Sequence, residues 1–132
     1  MTEERKALVA YRLKMAKETL EDALVLHREG RSHWSIVNRA YYAMFYAVLA
    51  LLTFISEAPS KHSGAIALFD KHFVKTGKFP IEMSKWLHRA FDLRQRSDYR
   101  EMYSLNPEQV MEVLQQAQAF VQRVEDFLAA NL

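Results

Sequence analysis

A chain of 132 residues, half of them hydrophobic, suits a single domain over residues 1–132, with a core that needs no staples. It contains no cysteine, which excludes disulfides, thiolate metal sites and cysteine nucleophiles and fits a reducing cytoplasm. Its 18 basic and 16 acidic residues leave a net charge of only +2, which neither demands nor excludes nucleic acid as a partner.

The first segment, from about Thr2 to Glu29, carries Leu8, Met15, Ala16, Leu20, Ala23 and Leu24 near the helical period. Gly30 is placed to end this helix, and Ser32 to cap the next. So short a connection predicts antiparallel neighbours. The second segment runs from Trp34 to Ile55, and its last 16 residues, Ala40 to Ile55, carry no charge. Trp34, Tyr41, Phe45, Val48 and Leu52 form one apolar line, with Tyr42, Tyr46, Leu49 and Ala50 on other sides. A helix apolar nearly all round is covered by its neighbours, so this one is expected at the centre of a bundle, with part of it available as a dimer seam. The run is shorter than the roughly 20 residues of a membrane span, and amphipathic segments flank it, so no membrane is expected.

Pro59 cannot continue the central helix. Ser60 or Ser63 is placed to start a shorter helix carrying Ile66, Leu68, Phe69, Phe73 and Val74, which Gly77 ends. Pro80 opens a fourth helix with Met83, Leu87, Ala90 and Phe91 on its apolar line. Asn106, Pro107 and Gln109 make a strong start for a last helix striped with Val110, Leu114, Ala117, Val121, Val124 and Leu128. No segment alternates as a strand does. The expected fold is all-α: an antiparallel four-helix up-and-down bundle with an additional short helix.

Polar residues interrupt two of these stripes. Asn38 sits on the apolar line of the central helix, and a buried amide needs partners. The stripe of the fourth helix runs on into Arg94 and Asp98, an i, i+4 pair. In an antiparallel pair these ends meet, so Asn38, Arg94, Asp98 and Tyr99 are expected in one polar cluster. A helix-end ion pair beside a satisfied core amide explains the same residues without any function. The histidines His27, His33, His62, His72 and His88 lack metal-site spacing, and glycine-rich phosphate loops are absent, so neither metal nor cofactor is expected.

The stretches Asn38–Phe45, Lys61–Gly64, His72–Gly77 and Ala90–Tyr99 together resemble a HEPN domain (higher eukaryotes and prokaryotes nucleotide-binding), in its small stand-alone prokaryotic branch. The resemblance implies an antiparallel α-bundle, usually a homodimer. It also implies a metal-independent ribonuclease, or a toxin–antitoxin component beside a minimal nucleotidyltransferase. In ribonuclease members an Arg, a spacer of four to six residues and a His act on RNA, helped by a polar residue of the second helix. Arg94 and Asn38 match by position, but no histidine follows Arg94; Asp98 and Tyr99 stand where it would be. Arg28 and His33 have the spacing but straddle the Gly30 turn, in the wrong element. In some relatives the tyrosine after the Arg accepts AMP from the nucleotidyltransferase; Tyr99 matches that role, with Tyr103 second. The missing histidine leaves open whether the chain cleaves RNA, binds it, or serves as a nucleotide-binding or partner-binding module.

Overall fold

The computed structural model describes residues 1–132 and contains five α-helices and no strand. They are α1 (Glu3–Arg28), α2 (His33–Phe54), α3 (His62–Phe69), α4 (Ile81–Arg96) and α5 (Pro107–Asn131). A π-helical turn, Asp70–Val74, prolongs α3, and a 3-10 segment, Ser97–Met102, prolongs α4. Local chemistry fixes most of the boundaries. The Thr2 hydroxyl accepts from the Arg5 amide and the Ser32 hydroxyl from the Ser35 amide. Gly30 and Gly77 take φ of +66° and +78°, where a side chain would be strained. At α5 the capping box is complete: the Asn106 side chain accepts from the Gln109 amide at 2.8 Å, and the Gln109 side chain accepts from the Asn106 amide at 2.9 Å.

The end of α2 reaches the same result with a less suitable residue. Ser56 stands at φ +62°, the position glycine usually fills, while the amides of Ser56 and Glu57 bond back to the carbonyls of Thr53 and Leu52. Arg5 of α1 donates to the Ser56 hydroxyl. The start of α3 departs from expectation: neither Ser60 nor Ser63 caps it, and Lys61 occupies the cap position without a side-chain bond.

The core lies around α2, which packs against α1, α3, α4 and α5. Tyr41, Met44, Phe45, Val48, Leu51 and Leu52 are all buried. By length and composition α2 could cross a membrane, but 72% of its most apolar window is buried inside the bundle. Towards α2, α1 turns the small residues Val9, Ala16, Thr19 and Ala23, which let the two backbones approach closely. Leu8, placed on that face by periodicity, is 41% exposed; Val9 takes the position instead. On α4, Leu93 is buried while Phe91 is only partly so, which turns the inner face one step from the expected line. The far end of the bundle is an aromatic cluster of Phe69, Phe73, Phe79, Phe120 and Phe127.

Candidate functional site

The start of α2 and the end of α4 do meet. A pocket of about 330 Å³ is lined by Trp34, Ser35, Asn38 and Arg39 of α2, Leu26 of α1, and Ser97 and Arg100 of the 3-10 segment. Asn38 is half-buried there, and its partner is its own neighbour. Arg39 donates to the Asn38 side-chain Oδ1 from Nε at 3.1 Å and from Nη2 at 2.9 Å. That bond holds the Arg39 guanidinium 5.1 Å from the centre of the Tyr42 ring.

Arg94 approaches the same ring from α4. Its Nη2 donates to the Tyr42 hydroxyl at 3.1 Å, and its guanidinium carbon lies 5.8 Å from the ring centre. Tyr42 is thus flanked by two cations, an arrangement that its electron-rich face favours. The charges of this helix end are disposed unequally. Arg89 pairs with Glu112 and Arg96 with Asp92, whereas Arg94 and Arg100 have no carboxylate partner. The two unneutralised guanidiniums are those nearest α2, and both retain donors for an anion.

The expected Arg94–Asp98 pair does not form. The ion pair of this stretch lies two residues earlier, between Arg96 Nε and Asp92 at 3.1 Å. An i, i+4 contact needs the α-helical pitch, but α4 gives way to the 3-10 form at Ser97. Tyr99 then leaves helical geometry altogether, at φ −128° and ψ 39°. Asp98 is exposed, and Tyr99 is 60% exposed, its hydroxyl bonded to no other residue. Of the four residues expected together, the structure gathers Asn38 and Arg94 around Arg39 and Tyr42 and turns Asp98 and Tyr99 outward.

An imidazole reaches this region from α3. His62 stacks on Phe45 at 4.0 Å between ring centres and 8° between planes, and its Nδ1 is 2.7 Å from the Tyr41 hydroxyl. Burial, reinforced by the nearby Arg94 charge, holds His62 below the ordinary imidazole value of 6.5. Burial, with Tyr42 adding to it and Arg94 partly opposing, pushes the Tyr41 phenol well above its ordinary range. Tyr41 is therefore a protonated hydroxyl and His62 a neutral ring near pH 7. Two of the other histidines are engaged elsewhere. His33 contacts the Leu105 carbonyl at 2.9 Å, and His88 the Asp70 carboxylate at 2.7 Å. No group of three histidine or carboxylate side chains is placed to hold a metal ion.

Sequence reasoning missed Arg39, Tyr42, Arg100 and His62. Helical spacing did carry a signal for Tyr42, which follows Asn38 by four residues, but not for Arg39, which follows it by one. His62 lies in the Lys61–Gly64 stretch of the family resemblance, but no helical stripe marks it; only the path of the chain after Pro59 sets it against Phe45.

Comparison with known proteins identifies the family. The model of the HEPN domain family matches residues 9–127. A UPF0332 protein of Thermotoga maritima is 39% identical over 125 residues, which are 95% of this chain and 94% of that protein. Two proteins of Methanocaldococcus jannaschii are also similar. "Putative toxin MJ0142" is 34% identical over 95 residues, 72% of this chain and 65% of its own length. "Putative toxin MJ0605" is 31% identical over 116 residues, 88% of this chain and 85% of its own.

Proposed function

The chain belongs to the HEPN domain family, and we infer that it is a toxin-type member that acts on RNA through the Arg94 site. One observation carries this reading: Arg94 is partly buried and oriented by the Tyr42 hydroxyl, yet no carboxylate neutralises it. A guanidinium so held offers a two-pronged donor to a phosphodiester oxygen. Arg100 and the Asn38 amide, in the adjoining pocket, extend the same donor surface. In the enzymatic form of this reading the RNA 2′-hydroxyl gives its proton to water and its oxygen attacks the adjacent 3′-phosphate, the P–O5′ bond breaks and the 5′-oxygen leaves with a proton from water, while Arg94 stabilises the charge that develops on the phosphoryl oxygens.

The test is incubation of the purified protein with single-stranded and structured RNA in the presence of EDTA, followed by end-group analysis. Cleavage gives 2′,3′-cyclic phosphate ends with wild type and none with Arg94→Ala. RNA retained without cleavage makes the protein a binder at the same site. Equal behaviour of Arg94→Ala and wild type contradicts the assignment.

A regulatory reading accompanies it. Tyr99 is an exposed phenol in a non-helical turn, free of partners and so open to a modifying enzyme. On a minimal nucleotidyltransferase partner its phenol oxygen would attack the α-phosphate of ATP and pyrophosphate would leave, so that AMP adds a negative charge one residue from Arg100 of the donor surface and repels RNA. Mass spectrometry after co-incubation with that partner and ATP is expected to find AMP on the Tyr99 peptide. An unmodified peptide, or AMP on Tyr103 alone, removes Tyr99 from the role.

A further inference from the structure

A second groove lies along α2 beyond Tyr42, about 280 Å³ in volume, and the Arg94 site does not use it. Its walls include Arg12 of α1, Lys61 and His62, and its floor includes Phe45, Leu49 and Pro59. In a chain with 16 acidic residues, no carboxylate lines this groove, and none lines the Asn38 pocket. Arg12 is fixed by donating from Nη1 to the Thr53 hydroxyl at 2.6 Å, which leaves its other nitrogens unbonded. Lys61 is exposed and has no ion-pair or hydrogen-bond partner.

His62 is held so as to present a donor here. The Tyr41 side chain is fully buried, and its hydroxyl has one neighbour to which it can donate, His62 Nδ1. A buried hydroxyl donates where it can, so Nδ1 accepts and the ring proton of the neutral imidazole resides on Nε2. No protein group bonds Nε2, and the Phe45 stack fixes the direction of the ring.

The two cavities share one line on α2. Asn38, Tyr42, Phe45 and Leu49 follow at i, i+4, i+7 and i+11, the repeat of a single helix face. From Asn38 to Leu49 the helix rises about 16 Å. Arg94 lies against Tyr42, between the two ends. A free phosphate ion would fill one cavity; a carboxylate-free line of this length suits an extended polyanion.

We propose that the groove of Arg12, Lys61 and His62 is a second phosphate subsite, occupied by the same single-stranded RNA whose neighbouring phosphate sits at Arg94. The proposal rests on the RNA reading given above. His62 serves here as a neutral hydrogen-bond donor, and because it covers the Phe45 face, that ring is closed to base stacking. The subsite reads backbone rather than base.

Fluorescence anisotropy with two labelled, uncleavable 2′-O-methyl probes tests it: a hexanucleotide, and a dinucleotide with a single phosphodiester. Lys61→Ala and His62→Ala are each expected to weaken the hexanucleotide several-fold and leave the dinucleotide unchanged. In Lys61→Ala the dependence of log affinity on log salt falls by about 0.7, the share of one phosphate contact on a single strand. Arg94→Ala loses both probes. The Lys61 side chain is exposed and does not cap α3, so its variant separates binding from folding. If hexanucleotide affinity and salt slope are unchanged in both groove variants while Arg94→Ala loses binding, the subsite is wrong and the Arg94 reading stands. Equal weakening of both probes by Lys61→Ala also overturns a separate subsite. If wild type binds neither probe, the RNA reading fails and the subsite with it.

Discussion

His62 shows how a single residue's surroundings set its protonation and its use. Its folded pKa lies below 6.5 because burial, and then the Arg94 charge, penalise the imidazolium. Between the folded pKa and 6.5 the unfolded chain binds more protons than the native one, so stability is full above 6.5 and declines as pH falls below it. Urea melts from pH 7.5 to 5 are expected to show this decline in wild type and a smaller one in His62→Gln; parallel curves would place the titration elsewhere. This part of the site was not legible in the sequence. Asn38 and Arg94 could be found because each breaks an apolar stripe. His62 breaks none, and its contact with Tyr41 spans 21 residues and the Pro59 turn. Asp98 failed for the opposite reason: its spacing from Arg94 is meaningful only if the α-helix continues, and it stops at Ser97.

Elements with local punctuation were the most readable. The Asn106 capping box was visible in four consecutive residues and is present with both bonds. Asn106→Ala is expected to cost about 1 kcal/mol, measured as a lower urea midpoint at an unchanged slope. A loss well below that would mean that burial of the α5 stripe alone fixes its start. The beginning of α3 was less readable. Two serines offered caps and neither is used, since packing of Ala65, Ile66 and Phe69 against the core positions this short helix instead. The switch into the π-helical turn at Asp70 also has no local marker. It brings Phe73 onto Phe69 and Phe79, contacts that exist only in the assembled bundle.

At the scale of the whole molecule, one apolar helix organises the rest, and its covering is uneven. The bundle buries most of α2 but leaves Tyr42, Tyr46 and Leu49 half-open, and on α1 it leaves Leu8 and Tyr11 exposed, Tyr11 at 60%. The dimer seam was expected on α2, most of which the bundle covers; we propose that a homodimer pairs instead through these two exposed α1 residues. Sedimentation velocity is expected to give twice the 15.5 kDa chain mass for wild type and a monomer for Tyr11→Glu. A wild-type monomer at tens of micromolar would contradict the dimer and leave the Arg94 site intact. The central claim, that Arg94 engages an RNA phosphate, is tested most directly by the affinity of wild type, Arg94→Lys and Arg94→Ala for one single-stranded RNA at fixed ionic strength. The account predicts loss of binding in Arg94→Ala and partial retention in Arg94→Lys, which keeps the charge but not the planar fork. Equal affinity of all three folded proteins would contradict it.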